Sequence, residues 1–312
     1  MANKLGQLVC SENSKNTGYG NCVEDWKQII GAFIFDGPKS FTKEEIAALE
    51  TTLQDAANAD SKASRMFPIH NFVAATDGSE KLIIENFDYG PKYPVRDGDY
   101  DWTFQFVDGR NCLQQSLRSH NGKGYALFYD KTESKILGYN KKGLLAAIPL
   151  QFFWAHPWSL ATGSKTAAYL VQFVFLAKYA NEERAFVKAE FDPSEITGMQ
   201  DIDILVNTFN QNTGVVNATL QTACGAENLY DLFSAGLNHT TNFKAVDEDG
   251  NVVTVTSIAP VAGSKTFNIT LNATQFPDSG IVYLSGTAPS VLAGNNVEGY
   301  EIGTADLTVV GS

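Results

Sequence analysis

A mainly β chain of two domains is the fold class predicted for this sequence, and three observations predict it. Aromatic residues make up 12% of the 312 residues, with 20 Phe and 12 Tyr, and these rings together with many Thr, Val and Asn favour strands and turns over helical bundles. Apolar residues recur with period two in several runs, the periodicity of a pleated strand. The composition also changes at Pro193, and 312 residues exceed what one core ordinarily serves, at roughly 100–200 residues per domain. We therefore expect a first domain over residues 1–191 and a second over 192–312. With 44% hydrophobic and 19% charged residues, a disordered chain is excluded.

The elements follow in order. The first forty residues are rich in Gly, Asn and Ser and read as an extended arm followed by one strand, the short apolar stretch Ile29-Ile30-Gly31-Ala32-Phe33-Ile34-Phe35. Thr42-Lys43-Glu44-Glu45 forms a capping box: the Thr42 hydroxyl accepts from the Glu45 amide while the Glu45 carboxylate reaches back. Ile46, Leu49, Leu53 and Ala57 then fall on one face of a helix over about residues 43–59. Trp102, Phe104 and Phe106 share one face of the next clear strand, residues 100–106. A short helical turn over 112–118 precedes a hairpin of 124–130 with 136–139. Strands are expected at 150–155 and 167–179. The second of these carries Tyr169, Val171, Phe173 and Phe175 on one face and Leu170, Val174 and Leu176 on the other, so burial on both faces is expected. A last strand at 185–191 closes the domain.

Beyond Pro193 short Val/Thr/Asn strands alternate with turns every 8–12 residues, the spacing of a β-sandwich. Strands are expected at 202–207, 215–222, 252–257, 265–271 and 281–284, with a hairpin turn at Asp249-Gly250 and a short helix over 227–235 ended by Gly236.

Charge narrows the partners. Residues 192–312 hold two basic residues, Lys244 and Lys265, against thirteen acidic ones, whereas the first 191 residues are nearly neutral at net −1. Such a surface repels nucleic-acid phosphates, so specific DNA binding is not expected. The N-terminal residues lack the apolar run of a secretory signal, and the longest apolar region, residues 144–158, is interrupted by Pro149, Gln151, His156 and Pro157. Neither export nor membrane insertion is expected.

No chemistry-bearing constellation emerges. His70, His120, His156 and His239 lie in unrelated contexts, and no G-x-S-x-G or P-loop spacing occurs. Cys10, Cys22, Cys112 and Cys224 form no C-x-x-C pair, and free thiols are the favoured reading of Cys10 and Cys22. The acidic runs at residues 97–101 and 247–250 lack the twelfth-position glutamate of a calcium loop and read as turns. We expect no catalytic residue, no metal and no cofactor. Trp154-Ala155-His156-Pro157-Trp158 offers two indoles that a sugar ring could stack upon, although core packing is the favoured reading of Trp154 and Trp158.

An arm, one amphipathic helix, a six- or seven-strand region and an acidic sandwich together resemble a virion structural protein of a tailed bacteriophage, most closely the tail-tube and tail-ring proteins. The runs Asp101-Trp102-Thr103-Phe104-Gln105-Phe106-Val107-Asp108-Gly109 and Asn296-Val297-Glu298-Gly299-Tyr300-Glu301 look similar to segments of such proteins from phages of Bacteroidetes-type hosts. The resemblance implies a tail-tube-type β-sandwich or barrel-like domain with a flanking helix, then an Ig-like β-sandwich. It implies a non-enzymatic subunit of a hexameric or larger ring around the DNA conduit, assembled in the host cytoplasm and located in the virion. Its partners would be further copies of itself, other virion proteins and passing genomic DNA without specific binding. Leu5, Leu8, Val9 and Trp26 in the arm are then the expected assembly anchors, since an arm too polar to fold alone gains order only against a neighbour. A head-decoration or neck protein shares the same features. A cell-surface adhesin or glycan-binding module, with Trp154 and Trp158 as its platform, is the alternative from another class.

Overall fold

The structure, a computed structural model, describes residues 5–7, 28–80, 83–85, 93–96, 98–106, 111–122, 124–132, 134–163, 167–176 and 184–311. The protein is mainly β, with 23 strands and five α-helices among the described residues. Its contacts divide it into two compact units, Met1–Ala57 with Ser61–Thr197, and Asn58–Asp60 with Gly198–Ser312.

The first unit begins with β1 (Leu5–Gln7), β2 (Ile29–Phe35), β3 (Ser40–Phe41), α1 (Lys43–Ala47), α2 (Leu49–Ala57), β4 (Met66–Ile69), β5 (Ala74–Asp77), β6 (Ile83–Glu85), β7 (Tyr93–Arg96) and β8 (Tyr100–Phe106). It continues with α3 (Asn111–Ser119), β9 (Tyr125–Asp130), β10 (Lys135–Lys141), β11 (Leu144–Ala146), β12 (Ile148–Ala155), β13 (Tyr169–Phe175) and β14 (Arg184–Lys188).

Strand β2 explains the layering. Nearly every residue in it is apolar, so both of its faces must be covered. Ala32 and Ile34 face a core shared with Phe104, Phe153 and Phe173 of β8, β12 and β13, whereas Phe33 and Phe35 face a second core shared with Ile46, Leu49 and Leu53 of the helices. One face of the twelve-stranded sheet at β2 therefore packs on other strands of the same sheet and the opposite face packs on the helices. The helix pair starts as the sequence predicts: Glu45 N donates to Thr42 Oγ1 at 3.2 Å and Thr42 N donates to Glu45 Oε2 at 2.7 Å. The expected single helix is interrupted at Ala48, whose backbone (φ −117°, ψ 41°) leaves the helical region. Ile46, Leu49, Leu53 and Ala57 are nonetheless all buried.

β13 differs from expectation. Tyr169, Val171, Phe173 and Phe175 enter the core, and of the opposite row Val174 is buried as expected, but Leu170 is half-buried and Leu176 is 45% exposed. Gln172 sits in that same outward row, and its amide needs hydrogen-bond partners that an apolar core does not supply.

The second unit contains β15 (Gln200–Asn210), β16 (Val215–Thr222), α4 (Tyr230–Leu237), β17 (Phe243–Asp247), β18 (Val252–Val253), β19 (Val255–Val261), β20 (Thr266–Leu271), β21 (Gly280–Gly286), α5 (Pro289–Gly294), β22 (Tyr300–Ile302) and β23 (Thr304–Val309). Five strands in the order β19-β20-β16-β15-β22 form one sheet and four in the order β18-β17-β21-β23 form the other. One core draws Ile202, Val216, Leu220, Phe267 and Ile269 from the first sheet and Ala245, Val282, Leu284 and Leu307 from the second. The β17–β18 turn closes at Gly250 (φ +83°), with Asp247 accepting from the amides of Asp249 and Asn251. Gly236 does not end its helix. It lies inside α4, where an added Cβ would meet the Asn295 carbonyl oxygen at 2.5 Å, so glycine is required there for close approach.

The sequence boundary after residue 191 falls six residues before the division at Thr197/Gly198. Ile196 explains the offset, since it is buried in the helix-side core of the first unit. Two features close strand edges in the second unit. Edge strand β19 carries Pro260, which has no N–H to offer, and the Gln211 side chain both donates to Val310 O at 3.1 Å and accepts from Val310 N at 3.0 Å beyond β23. Among the described residues no helix is long and apolar enough to cross a membrane.

Candidate functional site

Three places in the first unit bear on function, and the first is the pair of sheet ends. The strand path runs β1-β14-β10-β9-β12-β13-β8-β5. At one end the arm strand β1 pairs antiparallel with β14, Leu5 opposite Val187 and Gln7 opposite Ala185. Val187 and Ala185 are fully buried in the helix-side core, so β1 is laid along a well-anchored edge. At the other end all four residues of β5 are exposed, and the strand holds neither Lys nor Pro. Such an edge offers backbone donors and acceptors to another strand. Leu5 opens β1, with its backbone alone described, whereas Leu8, Val9 and Trp26 lie outside the described residues.

The second place is the β12–β13 hairpin. Trp154 and Trp158 are 43% and 45% exposed, which corrects the favoured core reading of both. The physical reason is register. Phe153 pairs with Phe173 on the core side, which turns Trp154, opposite Gln172, to the outer face. Gln172 in turn lies opposite Thr103 of β8. A line of side-chain hydrogen bonds crosses this face: Gln172 Nε2 donates to Asp101 Oδ2 at 2.6 Å, and Gln172 Oε1 meets His156 Nε2 at 3.1 Å. Gln114 of α3 fixes the segment by donating to the His156 carbonyl at 2.5 Å.

The protonation pattern of that line follows from elimination. A carboxylate only accepts, so the amide nitrogen of Gln172 must face Asp101 and its oxygen must face His156. His156 Nε2 therefore carries the proton, and in the neutral ring Nδ1 is an acceptor. Asp101 Oδ1, shielded from solvent, has no hydrogen-bond partner among the described residues.

The third place is His70. Its Nε2 lies 2.8 Å from the Ile196 carbonyl, which can only accept, so Nε2 bears the proton. Nδ1 then accepts from the Tyr129 hydroxyl at 2.5 Å. Burial lowers the His70 pKa, against the opposing pull of the Ile196 carbonyl and Asp192, and burial raises that of Tyr129 well above its ordinary value. The Tyr129 ring lies across Gly31, where any Cβ would overlap it. With Tyr129 fully buried, this trio joins β9, the residue after β4 and the segment after β14 rather than opening toward a substrate.

The His120 ring lies 3.8 Å from that of Phe67 between centroids, tilted by 42°, and its Nδ1 reaches Asp36 at 3.4 Å. Among the described residues no three His, Cys, Asp or Glu side chains are grouped to hold a metal ion. Cys224, exposed in the turn after β16, is disulfide-bonded. Cys10 and Cys22 lie outside the described residues. The sequence reading identified Trp154 and Trp158 but not Asp101, Gln172 or Gln114, because strands distant in sequence bring these together and no local spacing marks them. No protein-family model matches the chain, and no curated protein matches it.

Proposed function

We propose that the chain is a non-enzymatic structural subunit that self-assembles, a tail-tube or ring subunit of a tailed bacteriophage virion, with its acidic second unit as an Ig-like appendage. One observation supports the reading: a single strand path ends, among the described residues, in an added arm strand at one side and at the other in exposed β5, whose one charged residue is Asp77 at its end. Unlike surfaces at the two ends of one subunit are what a head-to-tail contact needs, and repetition of such a contact closes a ring or grows a tube. Residues 8–28 separate β1 from β2, and at about 3.3 Å per extended residue this tether reaches on the order of 70 Å. That length allows a neighbour to receive the same strand on its β14. The oxidised Cys224 fits a particle surface outside a reducing cytoplasm. The acidic surplus keeps genomic DNA from adhering while it passes.

Sedimentation velocity and negative-stain microscopy of the full chain test the proposal. Rings or tubes are expected, and removal of residues 1–28 should leave a folded monomer. A full chain that remains monomeric at high concentration overturns the assembly reading, and a truncated chain that forms the same particles removes the arm from it.

A further inference from the structure

We infer that the outer face of the β12–β13 hairpin is a binding site for a neutral carbohydrate, with Trp154 and Trp158 as stacking surfaces and His156 Nδ1 as a hydroxyl acceptor. The inference is independent of self-assembly, since it concerns an outward sheet face and not the strand ends.

Four observations bear on it. Both indoles are more than two-fifths exposed, whereas Trp102 of the neighbouring strand packs against the core as an aromatic of this size ordinarily does. Two exposed Trp, one on β12 and one four residues on in the segment that follows it, carry a desolvation advantage that is realised when something covers them. The apolar face of a pyranose, where C–H bonds point outward, matches the electron-rich face of an indole.

The polar groups beside the indoles fit the same ligand class. A sugar hydroxyl both donates and accepts, so its site needs a few oriented groups of fixed polarity within an otherwise apolar surface. The Asp101–Gln172–His156 line supplies fixed polarity. Asp101 orients the Gln172 amide, which lies opposite Trp154, the amide sets the His156 tautomer, and the tautomer leaves Nδ1 as an acceptor. Gln114 holds the His156 backbone from the other side, so the acceptor is placed before any ligand arrives. Among the described residues the line consists of Asp101, Gln172, His156 and Gln114, so it offers no Lys or Arg to a phosphate, sulfate or uronate group and suits the hydroxyls of a neutral sugar.

A second copy of the chain is the competing occupant of an exposed apolar hairpin, and Leu160, 71% exposed near its tip, would serve such a contact equally well. The ordered polar line beside the indoles favours the sugar, because hydrophobic docking between copies does not require a fixed histidine tautomer.

Affinity electrophoresis of the full chain through gels containing dextran, laminarin, xylan or galactomannan tests the site. Retardation in at least one gel is expected. Trp154→Ala and Trp158→Ala should each weaken it about tenfold, the loss of one aromatic stack. His156→Ala should weaken it several-fold, and all three variants should keep the wild-type circular dichroism and sedimentation. Migration of wild type unretarded in every gel, or Trp variants retarded as strongly as wild type, overturns the inference. So does loss of self-association by the Trp variants without any polysaccharide binding, which would assign the face to a second copy.

Discussion

His70 is held neutral by what surrounds it, and that makes the first unit sensitive to acid. The imidazole gives its proton to the Ile196 carbonyl and receives one from Tyr129, an arrangement that a second ring proton disrupts. Burial places its folded pKa below the ordinary 6.5. As pH falls below 6.5 the unfolded chain takes up the proton first, so the stabilisation is complete above that value and is lost as pH falls through the folded pKa. Asp192 favours the cation and softens the effect without reversing it. The thermal midpoint of the wild type should drop between pH 7 and 5 more steeply than that of His70→Gln. The variant itself should be less stable at pH 7.5 by about 1–3 kcal/mol, as expected when buried partners lose a hydrogen bond. Parallel profiles for the two proteins would show that His70 does not carry the dependence. None of this is legible in the sequence, where His70 stands alone; its partners lie 59 and 126 residues away. Thr42, by contrast, announces its role, because a capping box is local chemistry within four residues.

At the scale of elements, legibility follows the same division between local and distant causes. The helical stripe of Ile46, Leu49, Leu53 and Ala57 needs only a 3.6-residue period and is buried as expected. Thr42→Ala should therefore cost about 1 kcal/mol, read as a lowered denaturant midpoint with an unchanged slope. A larger loss with a changed slope would mean that the cap organises more than its own helix. Strand β16 spans residues 215–222, as its alternation indicates. In the second row of β13 Val174 is buried as its apolar neighbours predict, whereas Leu170 and Leu176 are apolar without being fully covered; Gln172 is the residue that distinguishes the cases. Short β22 pairs in parallel with β15 about a hundred residues earlier, and three residues carry no periodic signal of their own. β23 does alternate, with Ala305, Leu307 and Val309 buried, yet its weak apolar content hid it among the turns.

Across the whole molecule, the mainly β class and the composition break are written in residue counts and periods, whereas the two sheet ends and the tryptophan face depend on which strands become neighbours. Association and repulsion are also unevenly placed. The second unit combines closed strand edges, at Pro260 and at Gln211 with Val310, with most of the acidic surplus. In colloidal language it is a charged module, contributing repulsion without contributing adhesion. Static light scattering of the isolated second unit should give a positive second virial coefficient in 10 mM salt that declines toward the excluded-volume value near 1 M, as the Debye length contracts from about 30 to about 3 Å. A negative coefficient at low salt would reveal an attractive surface on that unit. Charge with blunted edges thus sets a salt limit on crowding: in dilute buffer, concentrated solutions of this unit should stay fluid and clear, and turbidity should begin only once added salt has silenced the repulsion.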